Sequence, residues 1–149
     1  MPDPSASREP GTITILSVSP ANSDHAALEQ TFRDSSLSLY PNCRLALQPS
    51  STLASALTTL RTHRIPIVLC DRDEQPEAWR RILQAGKDLS APPCVIVTSR
   101  LADDRLWAEL LKDGAFDLLA KPFDKADVMR IVHAAWVHWQ NRYGMTDSG

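Results

Sequence analysis

The sequence predicts an α/β protein with a mainly parallel sheet, and two observations lead to this prediction. First, segments with the pattern of a strand and segments with the pattern of a helix alternate five times along the chain, as in folds built from repeated βα units. Second, residues 65–71 and 94–98 are apolar almost throughout, which is typical of strands buried on both faces of a sheet. Right-handed crossovers then place helices on both faces.

Length, composition and charge fit one globular domain, which we place at residues 11–141 of the 149. Residues 1–10 hold three prolines among small polar residues and predict a disordered lead-in, and residues 142–149 predict a frayed tail. The net charge of −2 gives no reason to expect nucleic acid or an anionic membrane as a partner. No apolar run reaches bilayer length and no leader pattern is visible, so we expect a cytoplasmic location.

The cysteines favour neither disulfides nor zinc. There are three, Cys43, Cys70 and Cys94, and an odd number without paired spacing argues against both kinds of site. Because Cys70 and Cys94 lie in apolar runs, we expect them to be buried thiols.

The chain begins with a strand, a helix and an edge strand. Residues 12–18 predict the first strand, and Leu28 and Phe32, four residues apart, predict the buried stripe of the first helix. Residues 35–42 surround a proline and predict a loop. Polar and apolar residues alternate over residues 44–48, which suits a strand at the edge of the sheet.

The second helix leads directly to the central strand. Ser51 is the expected N-cap, and Leu53, Leu57 and Leu60 follow at helical spacing. The third strand comes next and ends on a single carboxylate, Asp71.

The third helix presents Trp79 and Ile82 to the core and ends at Gly86. The fourth strand, residues 94–98, is apolar up to its last residue, and the fourth helix is expected to begin near Ala102.

The last strand is short and the last helix is long. Gly114 ends the fourth helix, residues 116–120 predict the fifth strand, and Asp124 with Asp127 predicts a capped start for the fifth helix. Apolar residues recur along that helix at helical spacing: Val128, Ile131, Val132, Ala135, Trp136 and Trp139.

Three polar residues stand at successive strand ends: Asp71, Thr98 and Lys121. Each alone has a simpler explanation: a helix cap or turn for Asp71, a β-forming residue for Thr98 and a solvated turn for Lys121. The carboxyl ends of parallel strands, however, meet at one edge, where ligands bind in open α/β sheets. A carboxylate there can act as a nucleophile or bind a metal, and an ammonium can pair with it or with a phosphoryl oxygen. The three together therefore predict a functional site centred on Asp71.

Three short segments carry a family signature: IVLCD at residues 67–71, VIVTS at 95–99 and GAFDLLAKPF at 114–123. With them the chain resembles the receiver domain of two-component response regulators, over residues 12–141. The last segment is the most specific, because Gly-Ala before a short strand that ends in Lys-Pro-Phe is a strong signature of that family.

The resemblance implies a flavodoxin-like, doubly wound fold of five parallel strands in the order 2-1-3-4-5 with five helices. It implies that Asp71 accepts a phosphoryl group from a histidine kinase or a phosphotransfer protein. Lys121 would contact that group, next to a cis bond to Pro122. Thr98 would turn its hydroxyl towards the phosphoryl group when the switch fires, and Ser99 would be small enough to leave access to Asp71.

The acidic pair that receiver domains use to hold Mg²⁺ is missing. Ser19 and Pro20 stand in its place, and neither offers the charged oxygen that Mg²⁺ prefers. Metal ligands would then be Asp71 and, less favourably, Asp73, whose simpler interpretation is a solvated loop acid. Asp24 is interpreted as a helix-terminus charge. We therefore expect Mg²⁺ binding to be weak or absent, and phosphotransfer to be slow.

The signalling surface of the family is formed by the fourth helix, the fifth strand and the fifth helix. Leu118 stands where the family has an aromatic switch residue. Trp136 is expected to lie in the core, and Trp139 to be partly exposed and to contribute to a contact with a homodimer mate or a downstream partner.

Three functions are compatible with the sequence. The first is a phosphoaccepting receiver domain, and the second, nearly as well supported, is a phosphorylation-independent pseudo-receiver that acts as a protein-interaction module. The third is an enzyme or small-molecule-binding domain of flavodoxin-like fold, which is disfavoured because no Gly-rich phosphate loop follows the first strand. We predict a signalling protein that is not an enzyme.

Overall fold

Five strands and five helices alternate in the computed structural model, which describes residues 11–39 and 43–144. The strands are β1 (Gly11–Val18), β2 (Cys43–Ser50), β3 (Ile67–Asp71), β4 (Cys94–Ser99) and β5 (Asp117–Ala120). The helices are α1 (Asn22–Leu39), α2 (Leu53–Thr62), α3 (Ala78–Gly86), α4 (Asp104–Asp113) and α5 (Lys125–Tyr143). The expected lead-in at residues 1–10 lies outside the described residues, as does most of the expected tail.

The strands form one parallel sheet in the order β2-β1-β3-β4-β5. This order confirms the predicted flavodoxin-like fold. The register pairs Asp71 at the end of β3 with Thr98 near the end of β4, so two of the expected site residues are direct neighbours.

The sheet is covered on both faces because its central strands are apolar on both sides. Every residue of β3 and β4 is buried, as the apolar runs predicted. Ile15 and Ile67 face a core formed with α1 and α5. Leu16 and Val68 face the opposite way, into a core formed with α2, α3 and α4. Alternation along each strand thus divides the apolar residues between two cores.

Three predicted boundaries are wrong. The loop expected at residues 35–42 is helical up to Leu39, and its remaining residues lie outside the described part. Thr52, not Ser51, caps α2 by accepting a hydrogen bond from the amide of Ser55 at 3.1 Å. The fourth helix begins at Asp104, because Asp103 caps it through a 2.9 Å bond from the amide of Leu106.

Other local predictions are confirmed. Asp124 caps α5 by accepting a 3.0 Å hydrogen bond from the amide of Asp127. Gly114 ends α4 with φ of 108°, a left-handed conformation that glycine adopts at little cost. The bond between Lys121 and Pro122 is cis.

Two cysteines are buried free thiols, as expected. Burial raises the pKa of Cys70 to about 12, with a smaller contribution from the charge of Asp71. Burial also raises the pKa of Cys94 to about 11. Both thiols are therefore protonated at neutral pH and behave as small apolar side chains.

The two tryptophans of α5 exchange their expected places. Trp139 is 6% exposed and Trp136 is only partly buried, so the expectation that Trp139 is the exposed one is wrong. The physical reason is that Trp139 packs against the core while Tyr143 and the guanidinium of Arg64, 5.1 Å from its ring centre, cover it. An exposed tryptophan lies instead on α4, where Trp107 is 46% exposed. No helix in the described part of the chain combines the length and the apolar character needed to cross a membrane.

Candidate functional site

The three strand-end residues meet at the carboxyl edge of the sheet, as predicted. Asp71 is 2% exposed at the end of β3, and Thr98 is buried beside it on β4. Lys121 follows β5, and its backbone amide donates to the carbonyl of Ser99 at 3.0 Å. This bond continues the sheet ladder and brings the lysine side chain to the aspartate.

The carboxylate of Asp71 is held by three donors. Lys121 Nζ lies 2.7 Å from Oδ1. The backbone amide of Asp73 donates to the same oxygen at 3.1 Å, and that of Glu74 donates to Oδ2 at 3.0 Å. Because amide and ammonium donors point at the charge, its burial is compensated and its orientation is fixed.

Lys121 has two short carboxylate contacts, not one. Its Nζ lies 2.7 Å from Oδ2 of Asp24 as well as 2.7 Å from Oδ1 of Asp71, and 3.8 Å from Oδ2 of Asp73. The side chain is 8% exposed. Burial lowers the pKa of Lys121, but hydrogen bonds to Asp24 and Asp71 outweigh that effect and leave the pKa above its usual value. We call these three carboxylates and the ammonium the Lys121 pocket.

Asp24 is the site residue that sequence reasoning set aside. It lies in the first turn of α1, as a helix-terminus charge would, but its carboxylate turns into the site. The hydroxyl of Ser19 donates to Oδ2 of Asp24 at 2.8 Å and accepts from the amide of Ala21 at 3.1 Å. One feature of the sequence could have indicated this role. Asp24 is an acid in the first helical turn after β1, and β1 is followed by Ser19 and Pro20 instead of the family's acidic pair.

Asp73 is bound rather than solvated, which corrects its simpler interpretation. Its Oδ1 accepts from the hydroxyl of Ser99 at 2.7 Å and its Oδ2 accepts from the amide of Arg100 at 3.0 Å. Burial raises the pKa of Asp73. The two hydrogen bonds and the charge of Lys121 lower it, and their combined effect is larger, so the pKa lies below its usual value. Ser99 is fully buried and ties the loop after β3 to the end of β4.

A buried histidine, His25, supports the backbone next to the Lys121 pocket. No motif in the sequence indicates this role. Nε2 of His25 lies 2.9 Å from the carbonyl oxygen of Ser19, and Nδ1 lies 2.9 Å from the hydroxyl of Ser17. A carbonyl can only accept, so Nε2 carries a proton. His25 thereby fixes the backbone of Ser19, whose hydroxyl in turn holds Asp24.

The residues present do not fit the Mg²⁺ that the resemblance implies. The hydroxyl of Ser19 is engaged with Asp24, and Pro20 has no ligating side chain. The ammonium of Lys121 lies between the two carboxylates that would have to bind the ion. Among residues 11–39 and 43–144, no group of three or more histidines, cysteines or acids is arranged to hold a metal.

Several solved structures of response regulators and receiver domains share this architecture. A response regulator from Thermotoga maritima superposes with a TM-score of 0.70 at 22% identity, covering 83% of this chain and 97% of that chain. The signal receiver domain of an HD domain-containing protein from Pseudomonas fluorescens Pf-5 gives 0.67 at 21% identity, covering 87% and 90%. The chemotaxis protein CheY4 of Vibrio cholerae gives 0.65 at 14% identity, covering 84% and 99%.

Sequence comparison adds no relative to these structures. No protein-family model matches the chain, and no curated protein matches it by sequence. The likeness therefore lies in the strand order, the helices and an overlap of 83–87% of this chain with 90–99% of the others. On these grounds, the chain has the fold of the response-regulator receiver domains.

Proposed function

We propose that this chain is a receiver domain in two-component signal transduction and that Asp71 accepts a phosphoryl group from a histidine kinase or a phosphotransfer protein. The observation that carries the proposal is the 2.7 Å contact between Lys121 Nζ and Asp71 Oδ1 at the carboxyl edge of the sheet. The receiver-domain fold, with Thr98 next to Asp71 in register, supports it.

The proposed step is a transfer to a carboxylate oxygen. An oxygen of Asp71 attacks the phosphorus, the bond from phosphorus to the donor breaks with its electron pair going to the donor, and an acyl phosphate forms. Lys121 balances charge on the phosphoryl oxygens, and the hydroxyl of Thr98 donates a hydrogen bond to one of them. Since Asp71 is almost fully buried, the loop held by the contact between Asp73 and Ser99 has to open for the donor.

Output would pass through the surface of α4, β5 and α5 to a downstream protein partner or a homodimer mate. Leu118 is partly buried on β5, and Trp107 is exposed on α4, where both line one surface depression. Trp107 donates from Nε1 to Oδ1 of Asp117 at 3.0 Å. A shift of β5 would therefore move or release the exposed indole of Trp107. Trp139 is too deeply buried to belong to this surface.

A second candidate is a pseudo-receiver that binds its partner without phosphorylation. Ser19 and Pro20 stand in place of the acidic pair, and this favours the pseudo-receiver. Without a bound metal, Lys121 alone would have to neutralise the charge on an entering phosphoryl group, which disfavours the transfer. The two candidates share the fold and the output surface and differ only in whether Asp71 is modified.

Intact-protein mass spectrometry separates the two candidates. The protein is incubated with a small phosphodonor, with and without Mg²⁺, beside Asp71→Asn and, as a matched control, the exposed Asp88→Asn. We expect the wild type and Asp88→Asn to gain the mass of one phosphoryl group and Asp71→Asn to gain none. If the wild type gains no mass in any metal condition, nor with a phosphorylated histidine donor, the phosphoacceptor proposal fails and the pseudo-receiver remains.

A further inference from the structure

The Lys121 pocket contains more negative than positive charge at very short range. Three carboxylates, Asp24, Asp71 and Asp73, surround one ammonium at 2.7, 2.7 and 3.8 Å. None of these side chains is more than 18% exposed, so water screens them only partly. Taking several carboxylates out of water around one point is unfavourable unless a cation lies among them.

The position of the counter-ion is already filled. Two of the three hydrogens on Lys121 Nζ are used in short bonds to Asp24 and Asp71. A magnesium ion needs oxygen ligands at roughly 2.0–2.1 Å in an octahedron. To reach the same two carboxylates it would have to displace the ammonium.

Asp24 is fixed in a way that serves this arrangement. Ser19 stands where the resemblance implies an acidic metal ligand, and its hydroxyl instead donates to Asp24 at 2.8 Å. The carboxylate that the strand end lacks is thus supplied from the first turn of α1, and it faces Lys121. His25 holds the backbone of Ser19 from behind.

We propose that the ammonium of Lys121 is the resident cation of this pocket, that Asp24 is the positioning residue that keeps it there, and that lysine and Mg²⁺ compete for one place. In the wild-type protein the ammonium of Lys121 occupies this place and excludes Mg²⁺. Removal of its charge turns the pocket into a divalent-cation site formed by Asp24 and Asp71.

Thermal unfolding with and without millimolar MgCl₂, at ionic strength matched with NaCl, tests the proposal. The proteins are the wild type, Lys121→Met, the double variant Asp24→Asn with Lys121→Met, and the control Lys125→Met, whose ammonium lies 3.9 Å from Asp34 at an exposed site. We expect Mg²⁺ to leave the wild type and Lys125→Met unchanged. We expect the melting temperature of Lys121→Met to rise by roughly 4 °C at about ten times the dissociation constant, and the double variant to lose that rise.

Three results would overturn the proposal. They are a rise in the wild type as large as that in Lys121→Met, no rise in Lys121→Met, or an undiminished rise in the double variant. If Lys121→Met does not fold, Mn²⁺ added to the isotope-labelled wild type decides instead. Unbroadened amide signals of Asp73, Ser99 and Arg100 support the proposal, and selective broadening of them contradicts it. No phosphodonor is present, so the outcome is independent of phosphotransfer to Asp71.

Discussion

Lys121 and Asp24 are 97 positions apart in the chain and 2.7 Å apart in space. Contacts of this kind are worth little at a surface, but here the side chains are 8% and 13% exposed. A charge left without its partner in such a place is costly, because the pair was desolvated on folding.

We predict strong coupling between these two residues. Lys121→Met should lower the free energy of unfolding by about 3 kcal/mol, because it leaves the carboxylates of the pocket without a counter-charge. Asp24→Asn should cost less in that background than in the wild type, with a coupling free energy of about 1.5 kcal/mol. Urea unfolding of the two single variants and the double variant gives this value directly.

An exposed pair of the same residue types provides the control. Lys125 and Asp34 lie 3.9 Å apart, with side chains 56% and 44% exposed. The same substitutions there should couple by less than about 0.5 kcal/mol. Equal coupling in both pairs would mean that burial does not strengthen the contact between Lys121 and Asp24.

Asp71, Thr98 and Lys121 could be predicted as a group because each lies at or next to the end of a strand, and the ends of buried strands can be recognised from apolar runs in the sequence. Asp24 could not, since its direction depends on how α1 leaves the sheet and on the bond from Ser19. The exchange of Trp136 and Trp139 has a similar cause. Residues three apart share a helix face only roughly, and the covering groups Arg64 and Tyr143 come from elsewhere.

The buried strands are easier to predict from the sequence than the ends of the helices. Burial on both faces favours apolar residues along β3 and β4 up to their polar ends at Asp71 and Thr98, so their sequences leave little choice. A helix end depends instead on which of several polar side chains reaches a free amide. Thr52 rather than Ser51 does so for α2, and Asp103 does so for α4.

The end of α4 provides a test of one such boundary. Gly114 has φ of 108°, and a Cβ added there would meet no atom within 4 Å. Gly114→Ala should therefore lower the free energy of unfolding by about 1 to 2 kcal/mol through backbone strain alone. Gly86→Ala is the matched control, because its Cβ would lie at ordinary contact distance from Pro93, 3.5 Å away. Denaturant unfolding should show a larger loss for Gly114→Ala; equal losses would contradict the assignment to strain.

Two charged groups of the Lys121 pocket, Asp73 and Lys121, make the stability of the folded protein depend on pH. The pKa of Asp73 lies below its usual value of 3.8, so its contribution to stability is present above that pH and lost as the pH falls through the folded-state pKa. The pKa of Lys121 lies above its usual value of 10.5. Its contribution is therefore complete below that pH and is lost as the pH rises through the folded-state pKa.

We predict that these two groups leave stability flat across neutral pH and reduce it at both extremes. The urea midpoint, measured across the pH range, should fall in acid and in alkali. Asp73→Asn should remove part of the acid fall, and Lys121→Arg, which stays charged, should shift the alkaline fall to higher pH. An acid limb that Asp73→Asn leaves unchanged would show that other carboxyl groups cause it.

The sequence pattern predicts one part of the topology, the parallel sheet, but not the order of its strands. Alternation of strands and helices predicts a parallel sheet covered on both faces, and the structure confirms it. The order β2-β1-β3-β4-β5 does not follow from periodicity, because apolar residues do not say which strand is their neighbour. That order was predictable only through the resemblance carried by residues 67–71, 95–99 and 114–123.

The four tryptophans provide an intrinsic fluorescence signal that differs with their exposure to solvent. Trp79 and Trp139 are buried and Trp136 is partly buried, whereas Trp107 is exposed and bonded to Asp117 across α4 and β5. Its indole should supply the long-wavelength component of the emission and should be the ring most easily quenched by iodide. Trp107→Phe should therefore shift the emission maximum to shorter wavelength and lower the iodide quenching constant. With that assignment, any ligand or modification that moves α4 against β5 can be followed by intrinsic fluorescence without an added label.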